Sequence, residues 1–298
     1  MSGAGVVTIG IITAGPGRPI EGFKEGLNEL GFVEGHRVTF EQRSADGDLS
    51  LLPGFAAELV ELNVSLIAVI GAVTARAVQK ETTTLPVVYS VVVDPVTDRL
   101  AASLEKPGGN MTGVTSFDPA QARSHIELLK AVAPTLERIA IISDQGVSDC
   151  LSRSNSEAAT DLGLIPQVLR IGGPRPDLDG AFTAIKREEA RALIVLEEPL
   201  IAAHRTRIAE LATAARLPTV FPREQTDAGG LFCYGTSLRS ATRKMAQLAV
   251  KVLDGDKPGD IPVQVLSENE LVVNVQVARK LGLAVPPKIW DQAVQVIQ

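Results

Sequence analysis

The chain has 298 residues, of which 45% are hydrophobic and 21% charged, and its formal net charge is −6. This length and composition indicate a globular protein with two domains of ordinary size. The mild charge, the aromatic content of 4% and the lack of any basic tract argue against a nucleic-acid partner.

No stretch of the sequence contains the roughly 18 consecutive apolar residues of a membrane-spanning helix. No signal peptide is visible before the first predicted strand. We therefore expect either a cytoplasmic protein or a mature chain from which a leader has been removed.

Cysteine and histidine are too sparse for a disulfide framework or a metal site. Cys150 and Cys233 are better explained as two buried thiols than as one disulfide. His36, His125 and His204 lie far apart in the sequence without ligand spacing, and we interpret each as a surface or helix-end residue.

Apolar strands alternate with amphipathic helices through the first third of the chain. We predict strands at 6–13, 38–43, 66–70 and 86–93, with helices at 20–30, 52–62 and from 74 onward. The order β-α-β-α-β-α-β predicts a parallel, doubly wound sheet.

The segment 66–80 joins a buried strand to a helix through Gly71 and a short run of small residues. Thr74 is a plausible N-cap for that helix because its hydroxyl can accept a hydrogen bond from a free amide. Open α/β sheets bind ligands at this edge, where helix N-termini present backbone donors. The alternative is an ordinary turn without a binding role.

The pattern breaks at 106–110 and then starts again. A short strand at 111–115 and a helix after Pro119 precede a second alternating series. Its predicted strands are 138–143, 168–171, 192–196 and 219–221, and its predicted helices are 157–162, 182–186 and 201–214.

This second series looks like a structural repeat of the first. Residues 85–89 and 217–221 match in type and stand equally far from the first strand of their series. We therefore predict two similar doubly wound parallel-sheet lobes joined by a multi-strand hinge.

The tail does not fit a simple tandem pair. We predict a strand at 231–234, a helix at 238–253, strands at 263–266 and 271–274, and helices at 275–281 and 289–296. The first lobe would span 1–115 and be completed by about 236–273, and the second would span 116–235. The segment 274–298 would pack on one of the two lobes. Crossings near Thr115, Tyr234 and Asn274 would form the hinge of a closing cleft.

Nothing in the sequence matches a Walker loop, a dinucleotide fingerprint, a zinc-protease motif or a nucleophile elbow. Glu188 and Glu189 are expected to be solvated on a helix, whereas one of Glu197 and Glu198 could face the cleft. The predicted sheet edges hold amides, hydroxyls and a few charges but no nucleophile-base pair, which favours binding over catalysis.

Six segments carry further motifs, at 20–35, 85–88, 94–96, 106–115, 228–235 and 281–287. Together these motifs resemble the periplasmic substrate-binding proteins of ABC transporters, in the subfamily with tryptophan- and other amino-acid-binding members. The resemblance runs from about residue 9 to the C-terminus.

The resemblance implies a type I periplasmic binding fold, a periplasmic location after removal of a leader, a membrane permease as partner, and no enzymatic activity. It also implies that Gly71 to Thr74 hold a ligand carboxylate and that Thr115 and Ser116 lie at the hinge. The chain departs from the family at Ser143-Asp144-Gln145, where an aromatic residue and an Asn-Pro pair are common. The full set of candidate ligand-binding residues is Thr13, Ala14, Gly15, Gly71, Ala72, Val73, Thr74, Ser90, Asp94, Thr115, Ser116, Ser143, Asp144, Gln145, Glu197, Phe221, Arg223 and Tyr234.

We therefore expect a monomeric solute receptor without a cofactor, binding an amino acid or aromatic acid between its lobes. Two other functions stay open at this point. One is a cytoplasmic ligand-sensing regulator lobe of the same fold, against which the lack of a helix-turn-helix before residue 6 counts. The other is an α/β enzyme, which would need an acid-base pair in the cleft.

Overall fold

The computed structural model describes residues 5–14, 20–115, 118–173 and 175–298, without the side chain of Pro119. The chain forms two compact units. The first comprises Met1–Phe117 and Leu238–Leu266, and the second comprises Asp118–Ser237 and Ser267–Gln298. None of the helices in the described part of the chain is both long enough and apolar enough to cross a bilayer.

The first unit starts with five strands and three helices. They are β1 (Val7–Thr13), α1 (Glu21–Glu29), β2 (Val38–Ser44), α2 (Leu52–Glu61), β3 (Leu66–Ile70), α3 (Ala72–Glu81), β4 (Val87–Val92) and β5 (Met111–Thr115).

The second unit follows with the same alternation. Its elements are α4 (Pro119–Val132), β6 (Arg138–Asp144), α5 (Cys150–Asp161), β7 (Ile165–Ile171), α6 (Leu178–Arg187), β8 (Leu193–Val195), α7 (Pro199–Ala203), α8 (Arg205–Ala214), β9 (Thr219–Pro222) and β10 (Phe232–Thr236).

The tail contributes to both units. Helix α9 (Leu238–Leu253) and β11 (Gln264–Val265) belong to the first unit. The second unit receives β12 (Asn269–Asn274), α10 (Val275–Leu281), α11 (Pro287–Gln292) and β13 (Ala293–Ile297).

The two sheets share one strand order. The first sheet runs β11-β5-β4-β3-β1-β2, and the second runs β13-β12-β10-β9-β8-β6-β7. Read from the opposite edge, the first sheet begins β2-β1-β3-β4-β5 and the second sheet contains β7-β6-β8-β9-β10. The first five strands of each unit therefore have the same order in their sheet. The neighbouring strands pair in parallel, except that β10 and β12 are antiparallel. This arrangement confirms the predicted pair of similar, parallel-sheet lobes.

Helices cover both faces of the first sheet, because its strands are apolar on both sides. On one face Phe23 and Leu27 of α1 pack with Met245 and Ala246 of α9. On the other face the core is formed with α2 and α3. Helices α1 and α9 approach closely because Gly26 has no side chain, and a Cβ there would lie 2.8 Å from the Cβ of Ala246.

The second sheet is covered in the same way. One face packs against apolar side chains of α4, α5, α10 and α11. The other packs against α6, α7 and α8, where Phe221 is fully buried. Cys150 and Cys233 are both buried and are not joined in a disulfide, which confirms the interpretation of the two cysteines.

Several details differ from the predictions. Gly71, at φ +87°, precedes the first residue of α3, so Thr74 lies inside that helix and is not its N-cap. The predicted helix at 201–214 is two helices that meet at His204. Only 264–265 of the strand predicted at 263–266 pairs as a strand. The predicted helix at 289–296 ends at Gln292, and β13 then pairs with β12, because valine and isoleucine suit a strand.

The last passage between the units also lies earlier than expected. The sequence pattern predicts that about 236–273 belongs to the first lobe and that a crossing lies near Asn274. In the structure the first unit ends at Leu266, because β12 pairs with β10 in the second sheet. The tail 274–298 belongs to the second unit.

Candidate functional site

Three neighbouring strands of the first unit end at one edge of the sheet. Ile12 of β1 lies beside Val69 of β3, and Ile70 lies beside Ser90 of β4. The amide of Gly71 donates a hydrogen bond to the Ser90 carbonyl at 2.8 Å. The carboxyl ends of the strands thus bring the residues after β1, β3 and β4 to the same edge.

Helix α3 starts at this edge without a side-chain cap. Its N-cap position is Gly71, which has no side chain that could accept from the first amides. The first N–H groups of an α-helix lack partners within the helix and carry a partial positive charge. The amides that follow Gly71 can therefore receive an anionic group.

Three buried hydroxyls at the same edge have no hydrogen-bond partner among the described residues. They are the side-chain oxygens of Thr13, Thr74 and Ser90, and each of these residues is at most 1% exposed. The phenol oxygen of Tyr89, on β4, is buried without a partner as well. Leaving a buried polar group unpaired costs about 1–3 kcal/mol. Such a concentration of unpaired donors at one sheet edge marks a place where a bound molecule can supply acceptors.

The backbone is strained beside Ser90. Val91 has a φ of +57°, which is rare for a β-branched residue. The pairing of β4 with β5 shifts between Tyr89 and Val92, as at a β-bulge. Strained backbone and bulges are concentrated at functional sites, so this observation supports the location of the candidate site.

The loop after β4 is held by its own hydrogen bonds. Asp94 accepts from the amide of Thr97 at 2.9 Å, which closes a turn. The hydroxyl of Thr115 donates to the Val93 carbonyl at 2.9 Å. On the other side of the edge, the Ala14 carbonyl accepts from the amide of Gly47 at 2.8 Å. These residues lie at the edge, and the hydrogen bonds observed for them stabilise the loops.

In the second unit, Glu198 links the ends of two strands. It precedes α7 and is only 4% exposed. Its carboxylate accepts from the Ser143 hydroxyl at 3.1 Å and from the amide of Asp144. Asp144 in turn accepts from the amides of Gly146, at 2.7 Å, and Leu200, at 3.3 Å. The polar groups after β6 and β8 are therefore largely paired with each other.

The two consecutive glutamates of this edge both hold protons more tightly than usual. Burial raises the pKa of Glu198 to about 7, and the nearby charge of Asp144 adds to that effect. Burial also raises the pKa of Glu197 to about 7, with a further contribution from Glu224. The sequence pointed to both glutamates, but only Glu197 was included among the candidate ligand-binding residues. The proline directly after Glu198, which favours a helix start, was the available signal for Glu198.

The remaining second-unit candidates have three different environments. Phe221 is fully buried, with its ring against Gly230, and so belongs to the core instead of the site. Arg223 donates from Nε to Glu270 at 2.8 Å. Gln145 is exposed and its side chain lies over Gly172.

His125 is buried, which corrects its interpretation as a surface or helix-end residue. Its Nδ1 lies 3.0 Å from the side-chain oxygen of Asn155. Its ring meets that of Tyr234 edge to face, with the centroids 5.7 Å apart. Tyr234 is thus a half-buried residue of β10 that packs against α4.

Burial lowers the pKa of His125, which gives a testable dependence of stability on pH. The unfolded chain takes up a proton near the ordinary histidine pKa of about 6.5, whereas the folded protein resists it. The contribution of His125 to stability is present above that pH and is lost as the pH falls through the folded pKa. Chemical denaturation between pH 5 and 8 should therefore show that lowering the pH destabilises wild type relative to His125→Gln, whereas the difference between wild type and the exposed-site control His36→Gln stays constant. A difference between wild type and His125→Gln that does not change with pH would contradict this.

The structure thus brings some of the predicted residues together within each unit. In the first unit, Thr13, Ala14, Gly71, Ala72, Val73, Thr74, Ser90 and Asp94 lie at or directly after the carboxyl ends of β1, β3 and β4. Gly15 and Ser116 lie outside the described residues. Across the part of the chain that the structure describes, no group of three or more His, Cys, Asp or Glu is arranged to hold a metal ion.

Comparison with known proteins identifies a family that matches the chain and solved structures with a similar fold. The model of a family described as ABC transporter substrate binding protein matches residues 7–297. A tyrosine-binding protein of Clostridioides difficile is 26% identical over 267 residues, which are 88% of this chain and 76% of that protein.

Two solved structures are similar over most of the chain. A domain from Streptococcus pneumoniae in complex with L-Trp superposes with a TM-score of 0.85 at 24% identity, covering 98% of this chain and all of that one (100%). A leucine-binding protein of Thermotoga maritima superposes with a TM-score of 0.61 at 16% identity, covering 86% and 78% of the two chains. At these identities the superpositions establish the fold.

Proposed function

Because the chain belongs to the family of ABC transporter substrate-binding proteins, we propose that it is a solute receptor that binds a free amino acid for import. Its fold is that of the type I periplasmic binding proteins. Two of the relatives described above are named as binding proteins and the third is solved in complex with L-Trp, which supports the expectation of a receptor without enzymatic activity.

The observation that carries this proposal is the set of unpaired donors in the first unit. The hydroxyls of Thr13, Thr74 and Ser90 are buried without partners beside the uncapped N-terminus of α3. A carboxylate offers about four acceptor positions, so it can use several of these donors at once. Hydrogen bonds to an ionised group are also stronger than neutral ones. A ligand carboxylate held by the first unit is the interaction that best fits these groups.

The second unit favours an amino acid over a plain aromatic acid. Glu197 and Glu224 lie close enough to influence each other at its strand ends. The nearby arginines are engaged: Arg223 with Glu270, and Arg170 with two backbone carbonyls. A positively charged group such as an α-ammonium beside Glu197 and Glu224 would relieve the repulsion between their charges, which supports an amino acid as the ligand. Relatives named for tyrosine and solved with L-Trp support the same ligand class.

We propose further that the ligand binds between the two units and that closure follows the binding. The chain passes between the units three times, and several crossings of this kind can act as a hinge. A ligand that contacts both units in the closed form shifts the equilibrium toward closure by its difference in affinity. In this proposal the closed receptor acts as a monomer outside the cytoplasmic membrane and delivers the amino acid to a permease.

A panel of related ligands tests the proposal. We expect L-Trp, L-Tyr or L-Phe to raise the melting temperature, because a ligand that binds the folded state stabilises it by mass action. Tryptamine lacks the carboxylate and indole-3-propionate lacks the ammonium group, so each should bind at least tenfold more weakly than L-Trp. If no amino acid raises the melting temperature and native mass spectrometry detects no complex, the receptor proposal is wrong. If indole-3-propionate binds as tightly as L-Trp, the ligand is an aromatic acid and the role given to the second unit is wrong.

A further inference from the structure

Two valines remain exposed at the edge of the first unit that holds the unpaired hydroxyls. Val73, in the first turn of α3, is 40% exposed, and Val96, in the loop after β4, is 41% exposed. We call this pair the apolar rim. Val73 directly precedes Thr74, whose hydroxyl is fully buried and unpaired.

Helix α3 and the loop after β4 lie side by side. Arg76 of α3 pairs with Asp98 of the loop. The side-chain amide of Gln79 donates to the carbonyl of Arg99 at 2.6 Å. Residues three apart lie on one face of a helix, so Val73 is one turn closer to the edge than Arg76 on the same face. Val96 belongs to the same loop as Asp98 and Arg99, and its carbonyl accepts from the amide of Arg99 at 3.0 Å, so both valines lie in segments that this contact joins.

Single exposed valines are common and need no explanation. Val33, for example, is 39% exposed in the connection between α1 and β2. That connection enters β2 at its amino end, whereas the apolar rim lies at the carboxyl ends of β3 and β4. What distinguishes the apolar rim is therefore its position beside the donors that the proposed ligand carboxylate would use.

We infer that the apolar rim contacts the side chain of the bound amino acid and thereby selects large apolar side chains over small ones. This inference rests on the proposed function, because it assumes that the carboxylate lies on the neighbouring hydroxyls and amides. A ligand anchored there by its carboxylate directs its side chain outward from the edge, and the apolar rim is the exposed apolar surface next to that anchor. Contact with Val73 and Val96 removes apolar area from water only if the ligand carries a sizeable apolar group.

Replacing each valine of the apolar rim with serine tests whether these residues contact the side chain of the ligand. Val73→Ser and Val96→Ser are each expected to weaken L-Trp binding by about five- to tenfold, the loss of one partly buried apolar contact. Binding of the smallest amino acid that wild type measurably binds should change less than twofold. Val33→Ser, at a valine of equal exposure on the opposite edge, should leave both affinities unchanged.

Calorimetric titration of the four full-length proteins with a large and a small amino acid gives the decisive comparison. A selective loss for L-Trp in both rim variants supports the inference. An equal loss for both ligands means that the valines contact another part of the protein upon closure, and it overturns the inference while leaving the proposed function intact. Unchanged affinities in the rim variants overturn it as well. A wild-type protein that binds no amino acid overturns the proposed function and this inference with it, and wild type alone reveals that case.

Discussion

Replacing Thr74 with valine is expected to weaken amino-acid binding by about ten- to a hundredfold while leaving the folded protein as stable as wild type or more stable. The Thr74 hydroxyl is buried without a partner, so the folded protein loses no hydrogen bond when it is removed. Valine has the same shape and relieves the penalty for a buried unpaired oxygen. A bond from that hydroxyl to a ligand carboxylate is worth about 1.5–3 kcal/mol, which sets the expected loss of affinity.

Thr112→Val provides the matched control in the same unit. Thr112 is also fully buried, but its hydroxyl donates to the carbonyl of Ile261 at 2.8 Å. Its replacement should lower the free energy of unfolding by about 1 kcal/mol and leave ligand affinity unchanged. Calorimetry measures the affinity and urea denaturation measures the stability of both variants. A loss of affinity only in Thr74→Val, together with a loss of stability only in Thr112→Val, would place Thr74 in the site. Unchanged affinity in Thr74→Val would remove it from the site.

The largest loss of stability is expected from Glu198→Ala. The carboxylate of Glu198 accepts bonds from Ser143 and from the amide of Asp144, and all three groups are buried. Alanine would leave both donors unpaired and open a cavity between the loops after β6 and β8. We expect the free energy of unfolding to fall by about 2–4 kcal/mol. Urea denaturation at pH 7 measures this, and a loss below 0.5 kcal/mol would show that the loops do not depend on Glu198.

The same residue should make stability fall as the pH rises. The folded protein holds the Glu198 proton with a pKa of about 7, against an ordinary value of 4.5. Between these two values the folded state binds more protons than the unfolded state, so the free energy of unfolding decreases with increasing pH, by up to about 3 kcal/mol. Glu198→Gln, which cannot ionise, should flatten this part of the profile. Burial of His125 makes the free energy of unfolding rise with pH. The effect of each substitution is therefore measured as the difference in free energy of unfolding from wild type at each pH.

The parts of the fold that sequence predicted best are those where burial imposes a repeating pattern. Strands β1, β3 and β4 are apolar on both faces, and continuous apolar runs indicate a buried parallel strand. The repeat between 85–89 and 217–221 likewise reflects the equivalent positions of β4 and β9 in their sheets. The strand at 293–297 was missed because its backbone partner, β12, is brought to it only by the tertiary fold.

The candidate site was predictable in its location but not in the state of its side chains. Parallel strands followed by helices indicate which loops meet at an edge, and on this basis Thr13, Thr74 and Ser90 were assigned to one edge of the first sheet, where their strand ends lie. Whether a hydroxyl is paired depends on groups that are distant in sequence. Ser143 is paired with Glu198 across two strand ends, whereas Ser90 is not paired, and no local pattern distinguishes the two.

The return of α9 to the first unit has a consequence for how the chain can be assembled. One face of the first sheet is covered partly by Met245, Ala246 and Ala249, more than a hundred residues after the last strand that precedes the second unit. During synthesis from the N-terminus, β1 to β5 emerge long before the helix that completes their core. Such distant contacts delay folding and leave apolar surface open to aggregation in the meantime. The first unit therefore cannot complete its core until residues 118–237 of the second unit and then α9 have been synthesised.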